Sequence, residues 1–397
     1  MKFDMKSCLQ SFSLALDFAE MDYLKINSNH SRRVTYIVMM IADTINLSIE
    51  DKSDLGALSL LHDNGIVLSA TQNCGRLFEL LPDHCIEGEK NITKLPLYSK
   101  HKDIITYHHE NFDGTGFFQK RADEIPLFSQ IIHIADCLDV KFNLNKLNHN
   151  DRNKIHDYLK ENTGILFNPE IITSFEPLMN KERFWADLHF YNIDEVLNRV
   201  LPDMTFDFTW ADIVKISEVF MDIIDSKSHF TRRHSKGLTE KILIMADYYN
   251  FDLDKTNQLN IAANLHDIGK LFVPNDILEK PDKLNDNEFQ VIKQHTYFTK
   301  LALDKIKGFE DISKWASNHH EKLNGKGYPE SYSGKDLDFE SRLMTILDIY
   351  QALTEDRPYR VGMSHDKAVS ILKNMANENY IDENILSDVE KVMNKKI

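Results

Sequence analysis

Residues 319 to 329 read HHEKLNGKGYP, and residues 108 to 118 read HHENFDGTGFF. Adjacent imidazoles beside a glycine-containing loop suit metal chemistry, because imidazole nitrogen is a good ligand for first-row transition ions. The histidines around them repeat with matched spacing. His30 in NHSRRV and His234 in RHSKGL are each followed after 32 residues by a His-Asp pair, His62-Asp63 in LHDNG and His266-Asp267 in LHDIGK. His84 precedes His108 by 24 residues and His295 precedes His319 by 24, while Asp136 and Asp348 follow His108 and His319 by 28 and 29. A single histidine is more often an ordinary core or surface residue than a ligand, but composition alone does not reproduce a repeat of this kind. Five histidines and two aspartates in each half exceed what one ion needs. Because a carboxylate can bridge two cations, each set is sized for a dinuclear centre.

Ligands so scattered along the chain must be gathered by helices lining a common cavity. Only 14 Gly and 10 Pro interrupt 397 residues, and the periodic segments are long, which points to helices throughout. In RLMTILDIYQAL, Leu343, Ile346, Leu347 and Tyr350 fall on the stripe that a helix turns to a core, with Asp348 beside it. QLNIAANLHDIGK reads as a mostly buried helix ending in His266-Asp267, a polar pair that is costly to bury without partners. The repeat implies two domains, residues 1–200 and 201–397, dividing near VLPDMTFDFT. No low-complexity linker separates them, so they are expected to pack as neighbours.

The composition, 42% hydrophobic and 27% charged, suits globular domains with real cores. A formal charge of −15 argues against a nucleic-acid polymer or an anionic membrane surface as partner, so an anionic substrate must be held by local charge. Cys8, Cys74, Cys85 and Cys137 form no CxxC pair, and neither a disulfide framework nor a thiolate zinc site is indicated. With no signal peptide or membrane helix legible, a reducing cytoplasm is the expected location.

The second half resembles the HD-GYP family of cyclic-dinucleotide phosphodiesterases, metal-dependent phosphohydrolases of the HD superfamily. HS, HDIGK, HT, HHEKLNGKGYP and a helical Asp348 followed by TEDRPYR stand in order, and the first half resembles the family more weakly. The whole chain is similar to the tandem type, some of which hydrolyse 3',3'-cyclic GMP-AMP. The resemblance implies an all-α fold of two tandem HD-type helical bundles. It implies one metal on His234, His266 and Asp348 and another on His295, His319 and His320, with Asp267 bridging and a bridging water completing the pair. Phe230 stands where relatives with a third metal carry an acid, so two divalent transition ions are expected, iron or manganese first, nickel or zinc as alternatives. Lys270 would stabilise charge on a phosphate oxygen, and Arg357 and Arg360 would fork onto the second phosphate. Gly325 and Gly327 would let backbone approach the substrate, Tyr328 would offer a ring and a hydroxyl, and Pro329 would stiffen the loop. Asn324 and Gln351 stand where the family usually or often has aspartate. The implied reaction hydrolyses 3',3'-cyclic GMP-AMP or cyclic di-GMP, through a hydroxide held between the metals, to a linear 5'-phosphorylated dinucleotide.

In the first half Ile66 takes the place of the HDIGK lysine, Phe117-Phe118 that of Tyr-Pro, and Asn145 that of Arg357. The ligands persist while the phosphate grips are gone, so residues 1–200 are expected to be a degenerate regulatory or scaffolding domain and residues 201–397 the catalytic one. Two other functions compete. A non-catalytic cyclic-dinucleotide sensor or adaptor fits the first half better than the second, where Lys270 and both arginines survive. HD-type nucleotide phosphohydrolases and di-iron oxygenases share the bundle, but the Gly-Tyr-Pro loop and RPYR argue against them. The expected partners are the cyclic dinucleotide and the other domain of the same chain; a homodimer is compatible.

Overall fold

The computed structural model describes the chain except residues 25–27, 74–76, 97, 99, 148, 190–192, 229–232, 357–359 and 395–397, and gives backbone alone for 24, 70–73, 77–81 and 149. The fold is all-α. The strands among the described residues are Lys2–Asp4 and Thr205–Asp207, which pair with each other. By contact the chain divides into two compact units, residues 4–206 and residues 207–397 together with 1–3. Each unit is a helical bundle. Phe3 is fully buried in the second unit, its ring about 6 Å from those of Phe208 and Phe309. No helix among the described residues is long and apolar enough to cross a membrane.

In the second unit, helices His234–Tyr248, Leu253–Leu265, Asp286–Leu303, Glu310–Ser317 and Phe339–Thr354 pack around one polar centre. Their starts follow from capping chemistry. The Asp252 side chain accepts from the Lys255 N–H, Asp338 from the Ser341 N–H, and Asn285 forms a reciprocal capping box with Glu288. The apolar stripe of Phe339–Thr354 is buried as its spacing predicts: Leu343, Ile346, Leu347 and Tyr350 are each fully covered. Each such aliphatic side chain stabilises the fold by about 1.5–3 kcal/mol. That burial fixes the helix rotation and so aims Asp348 at the centre.

Glycine sets how closely the His-Asp turn approaches the next ligand. A Cβ on Gly269 would lie 1.8 Å from the His295 carbonyl oxygen, so only glycine lets the turn press against that helix. The first unit repeats the device. A Cβ on Gly65 would lie 2.1 Å from the His84 carbonyl oxygen. There the helices carrying the matching histidines and aspartate are His30–Thr44, Leu77–Lys94 and Leu127–Phe142, with His62-Asp63 just after Ile49–Leu60.

Candidate metal centres

Three histidines of the second half are each held in one tautomer by a backbone carbonyl. His266, His295 and His319 place Nδ1 at 2.8, 2.6 and 2.7 Å from the carbonyls of Ala263, Ile292 and Ala316. A carbonyl only accepts, so Nδ1 carries the proton and the Nε2 lone pair is turned inward. The Nε2 atoms of His295 and His319 approach to 3.2 Å, and His266 Nε2 is buried with no hydrogen-bond partner. Burial pushes His295 down to about 3 and His320 to about 4, and holds His319 well below the usual range, so these imidazoles are neutral at ordinary pH.

Asp267 divides its two oxygens between the histidines. Oδ2 lies 3.1 Å from His266 Nε2, and Oδ1 lies 3.6 Å from His295 Nε2. Burial alone would raise this carboxyl, but His266 and Lys270 outweigh it and keep it ionised. His234 sits between two carboxylates, Nε2 at 2.8 Å from Asp348 and Nδ1 at 3.1 Å from Glu355. Burial works against its charged form, but those hydrogen bonds prevail and raise it to about 9. The seven expected ligands therefore meet in one place. Their donor atoms form three overlapping groups, His234/His266/Asp348, His266/Asp267/His319 and His295/His319/His320, with every donor in a group within 4.8 Å of the others. Convergent neutral nitrogens, ionised carboxylates and an orphaned Nε2 fit transition-metal ions well.

The residues expected to touch substrate are placed less uniformly. Lys270 reaches the rim of the cluster, its Nζ donating to Asp267 Oδ2 at 2.5 Å. The Tyr328 ring lies against His320 with centroids 5.0 Å apart, and Lys293 Nζ lies over Tyr328 at 5.6 Å. Arg360 donates to the Ala352 carbonyl at 2.8 Å, at the end of the Asp348 helix. Gly327 has a need other than the expected one: a Cβ there would lie 2.4 Å from Glu321 Cα, so the close approach is to the chain itself. Gly325 adopts φ of +75°. Arg357 and Phe230 lie outside the described residues.

The first half builds the same core. Asp63 Oδ2 faces His62 Nε2 at 3.4 Å, and Oδ1 faces His84 and His108 at 3.3 and 3.5 Å. His30 Nε2 lies 3.3 Å from Asp136 Oδ1, and His109 Nδ1 lies 3.4 Å from Asp136 Oδ2. Cys85 Sγ lies within 4.8 Å of donors on His84, His108 and His109, which brings a thiol to the cluster without any CxxC spacing.

Three further residues that hold the clusters and their loops in place escaped the sequence reading. Glu355 orients His234 from a sequence distance that no motif spacing marks. Glu321 and Glu110, each directly after a His-His pair, are buried and accept loop N–H groups: Glu321 those of Glu330, Ser331 and Tyr332 at 2.7 to 3.0 Å, Glu110 those of Phe118 and Lys120 at 2.8 and 2.7 Å. The repeated HHE was a readable signal for this pair.

Two helical bundles, each closing on histidines and a His-Asp turn, define an HD-domain protein, and the chain belongs to that family: the HD domain profile matches it twice, over residues 20–171 and 218–385. Among curated proteins it is 30% identical over 371 residues to the 3'3'-cGAMP-specific phosphodiesterase 1 of Vibrio cholerae, covering 90% of this chain and 85% of that one. It is 31% identical to phosphodiesterase 3 of the same name and organism, over 80% of this chain and 68% of the other. Its structure matches the crystal structure of the V. cholerae cyclic GMP-AMP specific phosphodiesterase V-cGAP3 with a TM-score of 0.70 and 25% identity, across 99% of this chain and 98% of that one.

Proposed function

We propose that the chain is a metal-dependent phosphodiesterase that hydrolyses 3',3'-cyclic GMP-AMP in its second half. The observation that carries the reading is the second-half cluster, in which Asp267 offers one oxygen to each histidine group while Lys270 holds a cation at its edge. The relatives matched along most of the chain are named for cyclic GMP-AMP, whereas two named for cyclic di-GMP match 28% and 36% of it.

Two transition ions, iron or manganese, would be held by His234, His266 and Asp348 on one side and His295, His319 and His320 on the other, with Asp267 between. When bound, they supply Lewis acidity toward the phosphodiester and make a nucleophile available from water near neutral pH. The chain's own residues do the rest. Backbone carbonyls fix the tautomers of His266, His295 and His319, burial keeps His295, His319 and His320 unprotonated, and Glu355 aims His234. Lys270 puts a positive charge where the non-bridging oxygens become more negative. Tyr328 and Lys293 form one wall for the nucleotide. The oxygen of water bonds to phosphorus, the bond to the 3'-oxygen breaks, and that oxygen takes a proton, leaving a 5'-phosphorylated linear dinucleotide. Arg360 reaches the second phosphate by leaving the carbonyls it caps. The first half, with Ile66 in place of the lysine, regulates or supports the second without performing the reaction, and the protein works in the cytoplasm.

The test is purified full-length protein supplied with manganese or ferrous ion and offered cyclic GMP-AMP, cyclic di-GMP and nucleoside triphosphates, with products separated by chromatography. Linear pGpA-type product from cyclic GMP-AMP in preference to the others is expected. Hydrolysis of triphosphates alone would sink the reading.

A further inference from the structure

The first half holds a donor that the second lacks. Cys85 is buried directly after His84, whereas Thr296 follows His295 and donates its hydroxyl to the Lys293 carbonyl at 3.0 Å. Cys85 Sγ lies 3.6 Å from His84 Nε2, and the Nε2 atoms of His84 and His108 are 3.4 Å apart; His108 Nδ1, 3.7 Å from Cys85 Sγ, is held by the Ile105 carbonyl at 2.6 Å, so Nε2 is the His108 donor. Zinc bonds of about 2.3 Å to sulfur and about 2.05 Å to nitrogen, at tetrahedral angles, separate sulfur from nitrogen by roughly 3.6 Å and two nitrogens by roughly 3.3 Å. The pairs Cys85–His84 and His84–His108 match both separations. A fourth donor lies beside the same two histidines: Asp63 Oδ1 is buried and lies 3.3 and 3.5 Å from their Nε2 atoms.

We propose that the first half carries its own metal centre, in which the Cys85 thiolate is a ligand beside His84, His108 and Asp63, and that this centre takes zinc. A thiolate donor favours zinc over manganese or magnesium, while the second half presents nitrogen and oxygen alone. The thiol releases its proton to solvent as the Zn–S bond forms, with no change of oxidation state. Four protein donors fill a tetrahedral shell, so the ion is structural and the loss of the phosphate grips around it costs the domain nothing. None of this depends on what the second half hydrolyses.

The experiment uses full-length protein in which His266→Ala and Asp267→Ala have removed the second-half centre. It is stripped of metal and titrated with cobalt(II). A thiolate-to-cobalt charge-transfer band in the near ultraviolet is expected, discharged by added zinc, absent after Cys85→Ser and retained after Cys137→Ser. Cys85→Thr, which installs the residue found in the second half, is measured in parallel, with circular dichroism reporting its folding. X-ray absorption at the zinc edge of the zinc-loaded parent protein should count one sulfur ligand, a result that needs no cysteine variant to fold. No thiolate band, a band that survives in folded Cys85 variants, or a zinc shell without sulfur overturns the proposal.

Discussion

His30 and His234 open the same motif, but what stands behind them differs. In the first half the buried Arg33 forks onto Asp139 at 2.5 and 2.7 Å and reaches Asn145 at 2.8 Å, while Asp139 also holds His30 Nδ1 at 2.7 Å. In the second half the matching positions are Gly237 and Gln351, and Gln351 accepts from Lys241 at 2.5 Å. Where Arg33 fills its bundle, Gly237 helps line a cavity of about 630 Å³, bordered also by Arg233, Lys236, Lys241 and Glu355. One half plugs the approach to its first histidine with an internal ion pair. The other has glycine and glutamine there, with lysine and arginine bordering the cavity, while His234 itself stays buried.

The largest break in this comparison comes from the aspartates of the two His-Asp pairs. Asp267→Ala should abolish hydrolysis and lower bound metal, whereas Asp63→Ala should leave turnover close to that of the unaltered protein. Metal analysis and product chromatography check both, and loss of all activity in the Asp63 variant would reverse the assignment of roles. Next is Lys270→Ala, expected to depress kcat about a hundredfold with metal content unchanged. If metal falls as well, the lysine serves to fix Asp267 and not to meet phosphate. A smaller effect is expected when the second half is given the plug of the first, by Gly237→Arg with Gln351→Asp. A rise in KM of about tenfold, the scale of one lost charge-assisted contact, should accompany a modest change in kcat. An unchanged KM would mean that substrate does not use the cavity.

The last effect is on stability and pH. His295 and His320, at about 3 and 4, and His62 in the first half, at about 4, are depressed from the ordinary 6.5 by burial. Below pH 6.5 the unfolded chain binds protons that these folded residues refuse, so stability falls as pH drops toward those values. His234 is raised to about 9, so its contribution is fully present below 6.5 and fades as pH rises through 9; between pH 7 and 5 it offsets only part of the loss. Metal-free protein should therefore lose about 1–2 kcal/mol per depressed histidine between pH 7 and 5, seen as a fall of several degrees in Tm. A Tm that rises on acidification would contradict these directions.

The helices and the convergence of the seven expected residues were readable because duplication wrote each spacing twice and the apolar periodicity fixed the helix rotation. Asp348 and its stripe show both at work. Cys85 was not readable, since adjacent residues on a helix point about 100° apart, and the sequence alone assigns a residue next to a ligand to another face. Gly237 was invisible, and Gln351 was legible only as a departure from the family's aspartate, for a related reason: their meaning lies in the contrast with Arg33 and Asp139, a contact across 106 residues that no local pattern records. Arg360 was legible as a cation but not in its direction, which the free carbonyls at a helix end decide.

The buried glutamates behind the two His-His pairs point to how such a protein can be rebuilt. Glu321 and Glu110 grip their loops by main-chain N–H groups alone, so the fastening is indifferent to the side chains that the loop displays. The loop is in effect an interchangeable part seated in a fixed socket. Tyr328-Pro329 and Phe117-Phe118 are two inserts for one holder, differing by a single residue in the distance from glutamate to the first clasped N–H, nine positions against eight. A duplicated bundle could lose or change its substrate-facing chemistry here without disturbing its ligand helices, and grafting between halves has its cut points marked by the same two acids.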